Sequence, residues 1–152
     1  MAKLVSHERM IVQIDDLKRA LQRLEIISSS LSFEEVDDNV IYLRFRGQAK
    51  DVIGVKIEVK ERTTRFDSYL MPFPESNIAQ LFEYMLRVQS RIEPLHFELG
   101  AEDAIYLVGS LATVDLNDED LSEMVASILT YLDELFPKVM SIGFQGRFQI
   151  HK

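Results

Sequence analysis

Residues 117–136 read NDEDLSEMVASILTYLDELF, and the fold is argued outward from this stretch. Asn117 is a good N-cap, and Asp118, Glu119 and Asp120 fill the first turn, where carboxylates interact favourably with free N–H groups and the helix dipole. Leu116 and Leu121 occupy the two positions of a hydrophobic staple. Pro137 cannot donate the next helical hydrogen bond, so the helix is expected to stop at Phe136. At about 100° per residue, Leu121, Met124, Val125, Ile128, Leu129, Tyr131, Leu132, Leu135 and Phe136 share one broad face. Ser122, Glu123, Ser127, Thr130, Asp133 and Glu134 lie opposite. Such a helix covers a sheet; it carries no chemistry of its own.

The sheet it would cover lies upstream. Val40–Arg46 and Val52–Lys60 alternate apolar with charged residues, the pattern of antiparallel strands buried on one face. Arg65–Met71 continues the meander, and Phe33–Val36 reads as a short strand before the Asp37-Asp38-Asn39 turn. Pro72 and Pro74 end this run and open a second helix, in which Ile78, Leu81, Phe82, Met85, Leu86, Val88 and Ile92 form the apolar side. After Pro94, Leu95–Leu99 alternates again. Ala104–Val108 is apolar on both faces, as expected of a strand inside a sheet or under an interface. At the other end, residues 6–27 read as a first helix with a seam of Met10, Ile14, Leu17, Leu21 and Leu24, which fits core packing or a contact between subunits.

The tail alternates Ile142, Phe144, Phe148 and Ile150 with smaller or polar residues, and reads as an edge strand or an arm reaching to another subunit. The expected organisation is a single domain over 1–152, with its core at about 6–137 and this strand or arm at 139–152. The order α-β-β-β-α-β-β-α describes an α+β domain with a mostly antiparallel sheet of about five strands and three helices.

Composition bounds the function. A chain of 152 residues, 47% of them hydrophobic, is long enough to bury a substantial core. No apolar run approaches the roughly 20 residues needed to span a bilayer, and the N-terminus has no secretory apolar region. The absence of cysteine excludes disulfides, thiolate catalysis and cysteine metal sites, and a cytoplasmic location is expected. The net charge is −8, a poor basis for holding nucleic acid, whose binding depends on neutralising phosphates. The charge is uneven: residues 1–76 hold 12 Lys/Arg against 13 Asp/Glu, and residues 77–152 hold 5 against 12. The locally basic stretch Arg44–Arg65 is either a solvated sheet face or a match for a charged partner.

Motifs for chemistry are missing. Asp115-Leu-Asn117-Asp-Glu119 imitates the start of a calcium loop, but Asp120 stands where glycine is needed and Ala126 where a bidentate glutamate is needed. His7, His96 and His151 lack partners at metal-ligand spacing. There is no nucleophile elbow, and Gly143-Phe-Gln-Gly146 lacks the lysine and helix of a phosphate loop. The pairs Glu34-Glu35 and Asp37-Asp38 sit in a turn region as ordinary solvated charge. No catalytic, cofactor or metal residues are assigned.

The passage Met71-Pro72-Phe73-Pro74, the helix Asn77–Gln89, Leu95-His96-Phe97-Glu98-Leu99, Ile105–Val108 with Ser110-Leu111, and the acid-capped helix ending Leu135-Phe136-Pro137 resemble the YbjN-type family of bacterial sensory transduction regulators. The resemblance covers about Val40 to Pro137. It implies the fold of type III secretion chaperones, often dimeric, whose members bind protein segments and offer no catalytic residues to carry over. The expected function is therefore a non-enzymatic protein-binding domain, chaperone-like or regulatory and homodimeric, with a protein or peptide partner and neither nucleic acid nor membrane. Tyr106 and Val108 on the doubly apolar strand, Tyr131 on the last helix, and Phe144 and Phe148 in the tail are the candidate interface residues. The alternative is a small-molecule or enzymatic site between sheet and helices, which a deep pocket lined by convergent polar residues such as His96, Arg44 or Tyr42 would favour.

Overall fold

The computed structural model describes residues 15–24 and 29–147. Among these, three helices pack on a six-stranded, fully antiparallel sheet, an α+β architecture. Helix α1 is described over residues 15–23. The strands are β1 (Ser30–Asp37), β2 (Val40–Arg46), β3 (Val52–Val59), β4 (Thr63–Met71), β5 (His96–Leu99) and β6 (Ile105–Ala112). Helix α2 spans Ile78–Val88 and α3 spans Asp118–Gly143. The strand order is β1-β2-β3-β4-β6-β5, so α2 carries the chain past β6's place to the far edge, and β6 returns between β4 and β5.

The alternation read from the sequence sorts the two faces. Ile41, Leu43, Phe45, Ile53, Val55, Ile57 and Phe66 point into one core with Leu121, Val125, Ile128 and Leu132 of α3. Gly109 marks the closest approach of that helix: a Cβ there would lie 2.6 Å from the Met124 sulfur. Leu17 and Leu21 of α1 join the same core, so the described part of that seam is covered within one subunit. β1 starts three residues earlier than its apolar residues suggest, because Ser30 and Ser32 pair with Phe45 and Arg44 of β2 across a bulge. β6 lies inside the sheet, as its apolar character requires, and runs on through Gly109 and Ser110 to Ala112.

The start of α3 is as expected: Asn117 caps it by accepting the Asp120 N–H at 2.8 Å. Its end is not. The helix does not stop at Phe136 but runs through Pro137 to Gly143, and Val139–Gly143 is neither strand nor arm. The helical hydrogen bond lost at Pro137 is offset by burial of Val139 and by docking of Gly143 on Met71, Pro74 and Leu81. The segment ahead of α2 closes the last turn: Glu75 and Ser76 donate backbone N–H to the Gly143 carbonyl, each at 2.9 Å, and the Asn77 side chain donates to that of Ile142 at 3.0 Å. This end of α3 therefore fixes the start of α2.

Candidate interaction site

The apolar stripe of α2 is wider than the core can cover. Leu81, Met85 and Val88 are buried, while Leu86 is 71% exposed and Ile78 39%. Beside them Leu99, on the edge strand β5, is 56% exposed, and Phe73 packs edge-to-face on Phe82 with ring centroids 6.4 Å apart. Between α2 and β5 lies an open groove of about 330 Å³, lined by Phe82, Met85, Leu86, Phe97, Leu99 and Ile105. A contiguous apolar surface of this kind is one on which another apolar surface can dock. The edge strand itself is partly closed to strand addition. Phe97 donates its backbone N–H to the Gln89 side chain at 3.1 Å, so the groove offers side chains more than it offers a free ladder.

The sheet face opposite the helices is polar and internally paired. Arg65 bonds Asp67 at 2.8 Å and reaches Glu98 at 3.0 Å, and Glu98 meets His96 at 2.5 Å. Arg65 sits opposite Ser110 and Glu98 opposite Tyr106, so the bridge between them crosses above Val108, which is 1% exposed. Burial alone would raise the Glu98 carboxyl, but hydrogen bonds and charge from Arg65 and His96 outweigh it and hold Glu98 below its ordinary value. That contribution to stability is complete above the unfolded carboxyl's range and fades as pH falls through the folded value. Arg65→Met is expected to raise the Glu98 titration towards that of a free glutamate, followed by carbon-13 NMR of the carboxyl; an unchanged titration would show that Arg65 does not hold it.

Elsewhere on this face, Tyr69 and Tyr106 meet edge-to-face at 5.7 Å, and Arg44 lies over the Tyr42 ring at 5.4 Å. The basic stretch is paired in part within the chain: Lys56 and Lys60 both approach Glu58, and Arg65 is taken by Asp67 and Glu98.

The four expected interface residues that the structure describes do not form one surface. Tyr106 and Val108 lie on the open sheet face, with Val108 beneath the ion pair. Tyr131 and Phe144 are half-buried against the helix-side core. Phe148 lies outside the described residues. Tyr42 and Arg44 on β2 are separated from His96 on β5 by β3, β4 and β6, so those three do not line a common pocket. Among the described residues, no three acidic or histidine side chains converge as a metal-ligand group, and no helix is long and apolar enough to cross a membrane. The groove on α2 and β5 escaped the sequence reading because periodicity shows which side of a helix is apolar, not whether anything covers it. The one signal was the width of the stripe, from Ile78 through Phe82 to Leu86.

No protein family's sequence profile matches the chain, so the YbjN-type likeness rests on the sequence pattern alone. An uncharacterised protein of Mycobacterium tuberculosis, and one of Mycobacterium bovis, are 23% identical to it over 103 residues, which is 68% of this chain and 56% of those proteins. An uncharacterised protein of Mycobacterium leprae is 18% identical over 135 residues, 88% of this chain and 72% of that protein. The chain thus spans little more than half the length of the first of these relatives. Among solved structures, a chain of the ExsC–ExsE complex superimposes with a TM-score of 0.57 at 15% identity, covering 80% of this chain and 92% of that one. A chain of the heterodimeric ExoU–SpcU complex from the type III secretion system of Pseudomonas aeruginosa gives 0.53 at 15% identity, covering 70% and 88%. At such identities the likeness is one of fold, and the fold is the α+β type III secretion chaperone-like one.

Proposed function

We propose that this chain is a non-enzymatic, chaperone-like protein-binding domain that works as a homodimer, with the α2–β5 face as its subunit contact. The exposed apolar groove carries the reading: Leu86 and Leu99, both largely exposed, line one groove together with Phe82 and Phe97, whereas Val36 and Val114, exposed to a similar degree, do not line it. The fold supports the protein-binding part of this reading, since both solved likenesses come from complexes of two different proteins. Pairing through this face leaves other surfaces of the domain for a further polypeptide partner. No observation favours a small-molecule site to the same degree.

Sedimentation equilibrium tests the contact. The unaltered protein is expected to dimerise, and Leu86→Asp to weaken the dimer by about thirtyfold or more, the loss typical of a central apolar anchor. Because Leu86 is largely exposed in the single chain, the variant should melt within a few degrees of the parent. A protein that stays monomeric at every concentration would overturn the homodimer.

A further inference from the structure

The basic stretch divides in two on the open sheet face. Over β4, β6 and β5 the cation is taken: Arg65 is held by Asp67 and Glu98, and Glu98 also meets His96. Over β2 and β3 it is not. Arg44 and Arg46 are exposed, and among the described residues neither has an acidic partner within ion-pair distance. Lys56, opposite Tyr42 in register, meets only Glu58, at 3.7 Å, and shares it with Lys60. The unmatched charge therefore gathers on one half of the face.

That half is also shaped. Gly54 stands opposite Arg44, and a Cβ on it would meet the Tyr42 hydroxyl and lie 2.8 Å from the ring carbon that bears it. Glycine inside a strand weakens it and marks a place where something must approach the backbone closely. Here it is the Tyr42 ring, and the Arg44 guanidinium lies over that ring at 5.4 Å. A guanidinium stacked on an aromatic ring keeps its in-plane N–H donors free for a bidentate carboxylate. Arg44 and Arg46 are alternate residues of β2, so their Cα atoms stand about 6.7 Å apart, the repeat of every second side chain on an extended chain. β2 lies between β1 and β3, so a partner on this face meets side chains and not a free ladder.

We infer that the β2–β3 half of the open sheet face docks an acidic polypeptide. The segment is extended, with carboxylates at alternate residues, two of them on Arg44 and Arg46 and a third within reach of Lys56. This is a polypeptide partner of the protein-binding function proposed above, on which the inference rests; the α2–β5 contact is not used. Nucleic acid is the poorer match. Its affinity grows with every phosphate neutralised, and this short row of cations sits on a chain of net charge −8 beside Glu58 and Asp67.

Fluorescence anisotropy with a labelled peptide alternating glutamate with threonine, and its glutamine counterpart, tests it. The glutamate peptide is expected to bind at least about tenfold more tightly than the glutamine one, and less so in high salt. Arg44→Ala should remove about tenfold of that affinity, and Arg44→Lys should restore only part of it, because the charge returns without the fork. Gly54→Ala should weaken binding without removing a charge, whereas Arg19→Ala, an exposed cation on α1, should bind as the parent does. Equal binding of the two peptides, no binding of either, or an Arg44→Ala protein that binds like the parent would overturn the site. An oligothymidylate of the same charge that binds more tightly than the glutamate peptide would overturn the polypeptide partner. A parent that dimerises yet ignores the glutamate peptide overturns this face and leaves the dimer; a monomer that binds it overturns the dimer and leaves this face.

Discussion

Val139→Asp is expected to yield no cooperatively folded protein, and Val139→Ala to cost about 2 kcal/mol in urea or thermal unfolding followed by circular dichroism. Val139 lies two residues beyond Pro137, in α3, and is fully buried. An unpaired carboxylate there costs several kcal/mol, against a total of roughly 5–15 kcal/mol for a domain of this kind. The effect would not be confined to one side chain. Beyond Val139, Gly143 sits where a Cβ would lie 2.9 Å from Met71 and 3.0 Å from Pro74, and its carbonyl receives the N–H groups that position Glu75 and Ser76. Loosening the end of α3 therefore loosens the start of α2 and the face proposed for dimerisation. Were 139–143 a loose arm, both variants would unfold like the parent, and that result would contradict the helix described here.

The same segment shows why some of the fold was legible in the sequence and some was not. The start of α3 is a local event: Asn117 needs only the backbone three residues on, so composition reveals it. Its end is a contest between a local penalty at Pro137 and tertiary burial of Val139, and only the penalty is visible in a string of residues. β2 and β3 are readable because one wet face imposes alternation on each. The full length of β1 was not, since Ser30 and Ser32 gain their place from pairing with β2 rather than from burial. Val108 is legible only as part of a strand that is apolar on both faces. The reason it is dry, an arginine–glutamate bridge drawn across three strands, involves residues 65 and 98, which no periodicity connects. The apolar stripe of α2 was legible in full, yet its exposure was not, and that exposure is what points to a partner.

Asp133→Ala is expected to destabilise the protein by about 2 kcal/mol, with Asp133→Asn intermediate, because one carboxylate organises a whole connection. By periodicity the residue falls on the polar side of α3, where a surface charge is ordinarily dispensable. Instead its oxygens accept the backbone N–H groups of Gln48, Ala49 and Lys50 at 2.9–3.1 Å, the three successive donors of the turn between β2 and β3. The turn is shaped around it: at Gly47 a Cβ would lie 2.0 Å from the Lys50 carbonyl oxygen and 2.8 Å from the Asp133 carboxylate, so Gly47→Ala should destabilise in the same direction. The turn also places the Lys50 ammonium 5.5 Å from the Tyr69 ring and 5.7 Å from the Phe136 ring, where burial pushes the amine below its ordinary value. Removing the carboxylate leaves three donors to water and frees that lysine. The amides of residues 48–50 should then lose hydrogen-exchange protection before those of β2 and β3, and the Lys50 titration should rise towards that of a free amine. Unchanged protection at 48–50 in Asp133→Ala would mean that the turn holds itself without α3. Its loss would show that a side chain on the wet face of the helix fastens one end of the sheet, as the Gly143 carbonyl fastens the start of α2.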